Sequence, residues 1–150
     1  MRTIEAHENE VVSIDYSPYP MPDGGYLLAS GSRDRLIHVY DQTYSEPTIK
    51  EDHSSSIVSV RFAFDEREKK GGTKLVSCGA DKVIVVRHVA NSRHAITTQH
   101  KEALKSGKLV SMDTQGQRIV TGHDRMLCVY DVNGERVFEK RPERLRQAAG

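Results

Sequence analysis

Hydrophobic and polar residues alternate over residues 11–16, the period of a strand with one face buried. A loop over 17–25, with three prolines and two glycines, separates this stretch from a second apolar one over 26–31. A third strand is predicted over 36–41 and an outer one over 48–51. The scheme then repeats, with strands predicted over 57–62, 74–78, 83–88 and 95–99 and a charged, glycine-ended loop over 65–72. The run Val83-Ile84-Val85-Val86 is β-branched throughout, which suits a strand buried on both faces. A third, less regular round covers 109–113, 118–122, 126–131 and 135–140. Its turns are marked by Gln115-Gly116 and by Asn133-Gly134, a strong two-residue hairpin signal. Residues 101–108 read as an inserted loop or a short helical turn.

Each round carries an aspartate after its second strand: Asp34, Asp81 and Asp124. Six residues after each stand Tyr40, Arg87 and Tyr130. The period of about 43–47 residues is the length of one four-stranded propeller blade. The fold class expected is therefore all-β: a partial β-propeller of three four-stranded blades, about 7–52, 53–99 and 100–140, in an open arc, with a terminal tail over 141–150. Closed propellers need about four to eight blades. Residues 2–5 stand where an outer strand of a preceding blade belongs, and the third blade already has its own outer strand. The chain thus reads as starting and stopping inside a larger propeller, with further blades or a capping partner expected on its flanks.

Charge narrows the range of partners. Twenty-two basic residues against 21 acidic ones leave no strongly basic field, which argues against nucleic acid and membrane surfaces and for other proteins. No apolar run approaches the ~20 residues that span a bilayer, and residues 1–10 lack the apolar core of a secretion signal. Cys78 and Cys128 sit in separate predicted strands and read as small buried hydrophobes, which favours a reducing, cytoplasmic compartment. No cofactor is expected: there is no glycine-rich phosphate loop, no paired-cysteine zinc spacing and no HExxH. His94 and His100, which flank a predicted strand, read as surface histidines rather than a metal pair.

The recurrent polar residues suggest internal fasteners. An aspartate in a tight turn accepts from free backbone N–H groups and from a histidine on the preceding loop, and a hydroxyl on the second strand can bond the same histidine. The sets are His7, Ser30 and Asp34; His53, Ser77 and Asp81; and His100, Thr121 and Asp124. These are also the parts of a hydrolase triad, but a triad occurs once and this set recurs at blade spacing. The structural reading is therefore preferred, and no enzyme is expected.

These residues resemble the WD-repeat superfamily, with Tyr40-Asp41 and Tyr130-Asp131 standing where its Trp-Asp pair belongs and Arg87-His88 replacing it in the second round. An aromatic at that site packs and offers one polar tip; Arg87 cannot do so in the same way, so the second blade is expected to lack that part of its network. Residues 32–39, 52–57 and 77–82 resemble consecutive blades in the branch of mitogen-activated protein kinase-binding protein 1 and its microcephaly-associated WD-repeat paralogue. That branch implies long cytoplasmic scaffolds with tandem propellers, acting at spindle poles, centrosomes or basal bodies and holding kinases through segments beyond the propellers. The superfamily also implies a binding face at the narrow end. Carried onto this chain it comprises Glu10, Val12 and Arg33, then Ser56, Val58 and Ala80, and His123 in the third blade. The function expected is a non-catalytic protein-interaction scaffold. The alternative is a peptide- or modification-reading propeller of a ubiquitin ligase, which needs a concentrated basic or aromatic pocket on that face.

Overall fold

The alternation along the chain resolves into twelve strands. In the computed structural model, which describes residues 1, 3–68, 72–103, 109–115, 118–123, 126–131 and 136–140, no helix occurs among those residues. The expected tail over 141–150 and the Asn133-Gly134 turn lie outside the described residues. The first sheet is a meander of β1 (Val11–Tyr16), β2 (Leu28–Ser32), β3 (Ile37–Tyr40) and β4 (Thr48–Lys50). The second comprises β5 (Ile57–Phe64), β6 (Thr73–Gly79), β7 (Val83–Val89) and β8 (Ile96–Ala103). The third comprises β9 (Leu109–Gln115), β10 (Arg118–His123), β11 (Met126–Asp131) and β12 (Arg136–Lys140). All neighbours pair antiparallel, and the three sheets form an open, unclosed arc with the inner strands β1, β5 and β9 in series.

Strand parity decides what each sheet buries. Ala29, Ile37 and Val39 of the first sheet meet Ile57, Val60, Phe62, Leu75 and Val89 of the second, with Met21 and Leu27 closing the cluster from the β1–β2 loop. A second cluster joins Val76, Cys78, Ile84 and Val86 to Ile119, Cys128 and Tyr130 of the third sheet. Burial pushes the Cys78 thiol up to about 12, so it behaves as a small apolar side chain. Among the described residues no sheet lies against Ile14 and Tyr16 of β1, which are 60% and 55% exposed.

The polar positions of the alternating inner strand also have a use. The innermost strand of a meander has one unpaired edge. Ser13 Oγ accepts from Val60 N (3.0 Å) and lies 3.3 Å from Val60 O, and Asp15 Oδ2 accepts from Phe62 N at 2.8 Å. Side chains of β1 thus satisfy the backbone edge of β5.

The same irregularity marks all three sheets. The inner-strand register skips one residue between Val11 and Ser13, again between Ile57 and Ser59, and once more where His123 pairs Leu109 while Gly122 pairs Ser111. Val12, Val58 and Val110 are therefore the extra residues of equivalent β-bulges. This recovers the register of the third sheet, which spacing from His100 leaves open. His100 itself is no leading histidine: it lies within β8, opposite Val86, with Nε2 3.2 Å from a Glu102 carboxylate oxygen. The outer strand runs on to Ala103, so an inserted segment does not begin at residue 101.

One charge of β6 lies in the interior. Lys74, at 1% exposure, donates from Nζ to Glu68 Oε1 (2.9 Å) and Gln99 Oε1 (3.0 Å) and lies 3.3 Å from His88 Nδ1. A buried ammonium needs such a full set of acceptors.

Candidate functional site

In the first sheet the β2–β3 turn brings Asp34 beneath His7. His7 Nδ1 lies 2.9 Å from Asp34 Oδ2, and His7 Nε2 lies 2.7 Å from Ser30 Oγ. A carboxylate only accepts, so Nδ1 carries the proton and Nε2 accepts from the serine. Asp34 also takes the Glu8 and Leu36 amides at 3.1 and 2.9 Å. Burial works to raise the Asp34 pKa, but these amides and His7 outweigh it and hold the carboxyl below its usual value.

The second sheet repeats the arrangement. His53 Nδ1 is 3.1 Å from Asp81 Oδ2, His53 Nε2 is 2.7 Å from Ser77 Oγ, and Asp81 takes the Ser54 and Val83 amides at 2.9 and 3.1 Å. In the third sheet Thr121 is buried opposite Cys128, whereas Asp124 lies outside the described residues.

Arg87 departs from the sequence expectation. It is fully buried, donates from Nη1 to Ser77 Oγ at 2.8 Å, and clasps Asp52 with two bonds, Nη2 to Oδ1 at 2.6 Å and Nε to Oδ2 at 3.2 Å. The network is extended, not broken: Arg87 donates to Ser77, Ser77 to His53, and His53 to Asp81. Asp52, missed in the sequence, is the partner that makes a buried guanidinium tolerable. Burial raises the Asp52 pKa, but the two bonds from Arg87 more than reverse this, and it stays below the usual carboxylate range.

Two histidines are held neutral. Burial, with His7 stacked 3.9 Å away, lowers His38 to about 4. Burial also lowers His53, and Asp81 offsets this only in part. In the unfolded chain both take up a proton near 6.5. The stability tied to their neutral forms is thus complete above pH 6.5 and drains away as pH falls towards 4, because the unfolded state then binds more protons. We expect Tm to drop steadily between pH 6.5 and 4 and His38→Phe to flatten that slope; an unchanged slope in the variant would remove His38 as its source.

Four of the positions expected on the narrow face, Glu10, Arg33, Ser56 and Ala80, are linked by contacts. The Glu10 carbonyl accepts from Arg33 N at 3.0 Å, and their exposed side chains pair at 3.2 Å. The Arg33 carbonyl lies 3.5 Å from Ser56 Oγ, and Ser56 O accepts from Ala80 N at 2.8 Å. Val12 is exposed at its bulge, whereas Val58 is half-buried against the cluster between the second and third sheets. His123 ends β10. Among the described residues no group of three or more His, Cys, Asp or Glu is placed to hold a metal ion.

This twice-built clasp of histidine, hydroxyl and turn aspartate, each on its own four-stranded sheet, is what the comparisons bear on. Residues 1–41 match the family "WD domain, G-beta repeat". Over those residues the chain carries a WD repeat. It is 36% identical over 140 residues to mitogen-activated protein kinase-binding protein 1 of Mus musculus, a match covering 89% of this chain and 9% of that protein. It is 39% identical over 142 residues to WD repeat-containing protein 62 of Sus scrofa, covering 88% of this chain and 9% of that one. The chain thus spans about a tenth of these WD-repeat relatives. The crystal structure of Saccharomyces cerevisiae Sqt1 shares its fold, with a TM-score of 0.73 at 16% identity over 93% of this chain and 38% of that one.

Proposed function

We propose that this chain is a non-catalytic scaffold segment that binds other proteins through the rim of Glu10, Arg33, Ser56 and Ala80. The observation that carries this reading is the duplication of the histidine clasp. Side chains suited to catalysis are used twice at repeat spacing, and in both places they hold turns together. His7 and His53 have no exposed side-chain surface, so neither faces a substrate. What the two clasps leave accessible is the rim they support, and arginine is enriched among residues that dominate interfaces. The outward faces of the first and third sheets, with Ile14, Tyr16, Leu127 and Val137 exposed, belong against further blades or a capping protein.

The relatives carry names that refer to a mitogen-activated protein kinase and to WD repeats. The first of these names supports a role in a kinase-signalling assembly, and we propose beside it a cytoplasmic, centrosomal or basal-body setting. Affinity capture with the intact chain and with Arg33→Ala tests the rim. The variant is expected to lose most of its captured partner while keeping its Tm. Full retention would remove Arg33 from the interface, and capture of a ubiquitin-ligase subunit would replace the scaffold reading with that of a substrate receptor.

A further inference from the structure

Loops at the end of the first two sheets opposite the rim enclose a cavity of about 220 Å³. An antiparallel meander puts its β1–β2 and β3–β4 loops at one end and its β2–β3 turn at the other, so the cavity is remote from Arg33. Its walls come from those two loops of the first sheet and from the β7–β8 loop of the second. Side chains pin the junction. Arg93 donates from Nε to Asp41 Oδ2 and from Nη1 to Thr48 Oγ1, each at 3.0 Å, and Lys50 Nζ donates to Ile96 O at 3.0 Å. A site already held in shape loses little binding free energy to ordering itself.

Size and charge restrict the occupant. The volume falls below the ~300–1,000 Å³ of pockets for drug-sized ligands, so it suits one side chain rather than a cofactor. Two carboxylates, Asp23 and Asp41, and one guanidinium, Arg93, line it, which leaves one formal negative charge unmatched when His94 is neutral. Arg93 is taken up by Asp41, so the unmatched carboxylate is Asp23. Asp23 is exposed, makes no ion pair among the described residues, and accepts from Gly25 N over a long 3.5 Å. Gln42 adds a second acceptor. Its carboxamide lies over Gly25, 3.1 Å from where a Cβ would stand, and makes no hydrogen bond among the described residues. Tyr26, half exposed, supplies an aromatic wall. A guanidinium fits this set: it offers five N–H donors in one plane and stacks on aromatic rings, whereas an ammonium is compact and strongly hydrated. An anion would meet the unmatched carboxylate, with the guanidinium of the lining already clasped.

We infer that this cavity takes an arginine side chain of a partner protein, with Asp23 and Gln42 accepting from its guanidinium and Tyr26 beside it. This contact is separate from the rim, at the other end of the same two sheets, and it goes beyond the rim reading by naming the chemistry that is recognised.

The test is a titration of the isotope-labelled full chain with N-acetyl-arginine methylamide, followed by amide chemical shifts. The citrulline analogue, which keeps the shape and loses the charge, and the lysine and glutamate analogues are the controls. The arginine compound is expected to shift the amides of Asp23, Gly25, Gln42 and Arg93 and to bind more tightly than all three controls. Asp23→Asn is expected to weaken binding about fivefold, the upper range for one exposed ion pair, and Gln42→Ala about threefold, with Tm unchanged in both. Four results would each overturn the inference: no shift of these amides, citrulline or lysine binding as tightly as arginine, glutamate binding more tightly, or an Asp23→Asn chain that binds as well as the intact one. None of them touches the rim reading, which stands or falls with Arg33→Ala in partner capture, and the Arg33→Ala chain is expected to bind the arginine compound normally.

Discussion

Truncating Arg87 to alanine is expected to destabilise the chain by about 3 kcal/mol, the lower end of the range for stripping one partner from an interior ion pair. The lower end applies because the Asp52 side chain keeps 18% exposure and can recruit water once the guanidinium is gone. The loss has two parts: Asp52 is left without its two bonds, and Ser77 loses the donor that orients it towards His53. The first repeat shows how to separate them. There Ala6 precedes the leading histidine and Tyr40 stands where Arg87 does. The swap Asp52→Ala with Arg87→Tyr should therefore recover most of the stability lost in Arg87→Ala, read as denaturant midpoints in a double-mutant cycle. A swap as costly as the single truncation would mean that the ion pair is not what the second sheet lacks when Arg87 is removed.

Gly79→Ala is expected to cost about 2 kcal/mol, in the range for forcing extra atoms into filled space. A Cβ at that position would lie 2.8 Å from both Asp81 Oδ1 and His53 Nδ1, and 3.2 Å from Ser56 O. The methyl would wedge the clasp apart from inside, because none of the three atoms belongs to the free end of a flexible chain. Hydrogen exchange gives a local readout: the Ser54 and Val83 amides, both bonded to Asp81, should lose protection first. Gly122→Ala is the control, since among the described residues its Cβ would meet nothing closer than Leu127 Cδ2 at 3.8 Å. Equal melting of the two variants would contradict the steric account.

Much of the fold can be read from the chain because a half-buried strand declares itself by alternation. Residues 11–16 and 126–131 have the same bounds in the sequence pattern and in the structure, and the turn aspartates mark each β2–β3-type hairpin. What escapes is encoded elsewhere. The continuation of β8 through His100, Lys101 and Glu102 carries no apolar signal, since an outer strand packs on one flank only. The Arg87–Asp52 pair spans 35 residues and has no periodic signature. One trace of it is present: aspartate replaces Ala6 before the leading histidine in the same repeat in which arginine replaces the aromatic. Comparing the repeats with each other, rather than each with a general pattern, exposes the compensation. Lys74 gives no warning, because a lysine inside a strand ordinarily reads as solvent-facing.

The bonds from Ser13 and Asp15 to the backbone of Val60 and Phe62 make the first sheet the guardian of its successor's raw edge. A polypeptide begun at the second repeat would lose the core it shares with the first and bare a β-branched strand to any extended peptide it met, inviting fibrillar growth. The smallest piece that can safely be cut from this protein is accordingly a consecutive pair of repeats, with the earlier member sacrificed as a shield.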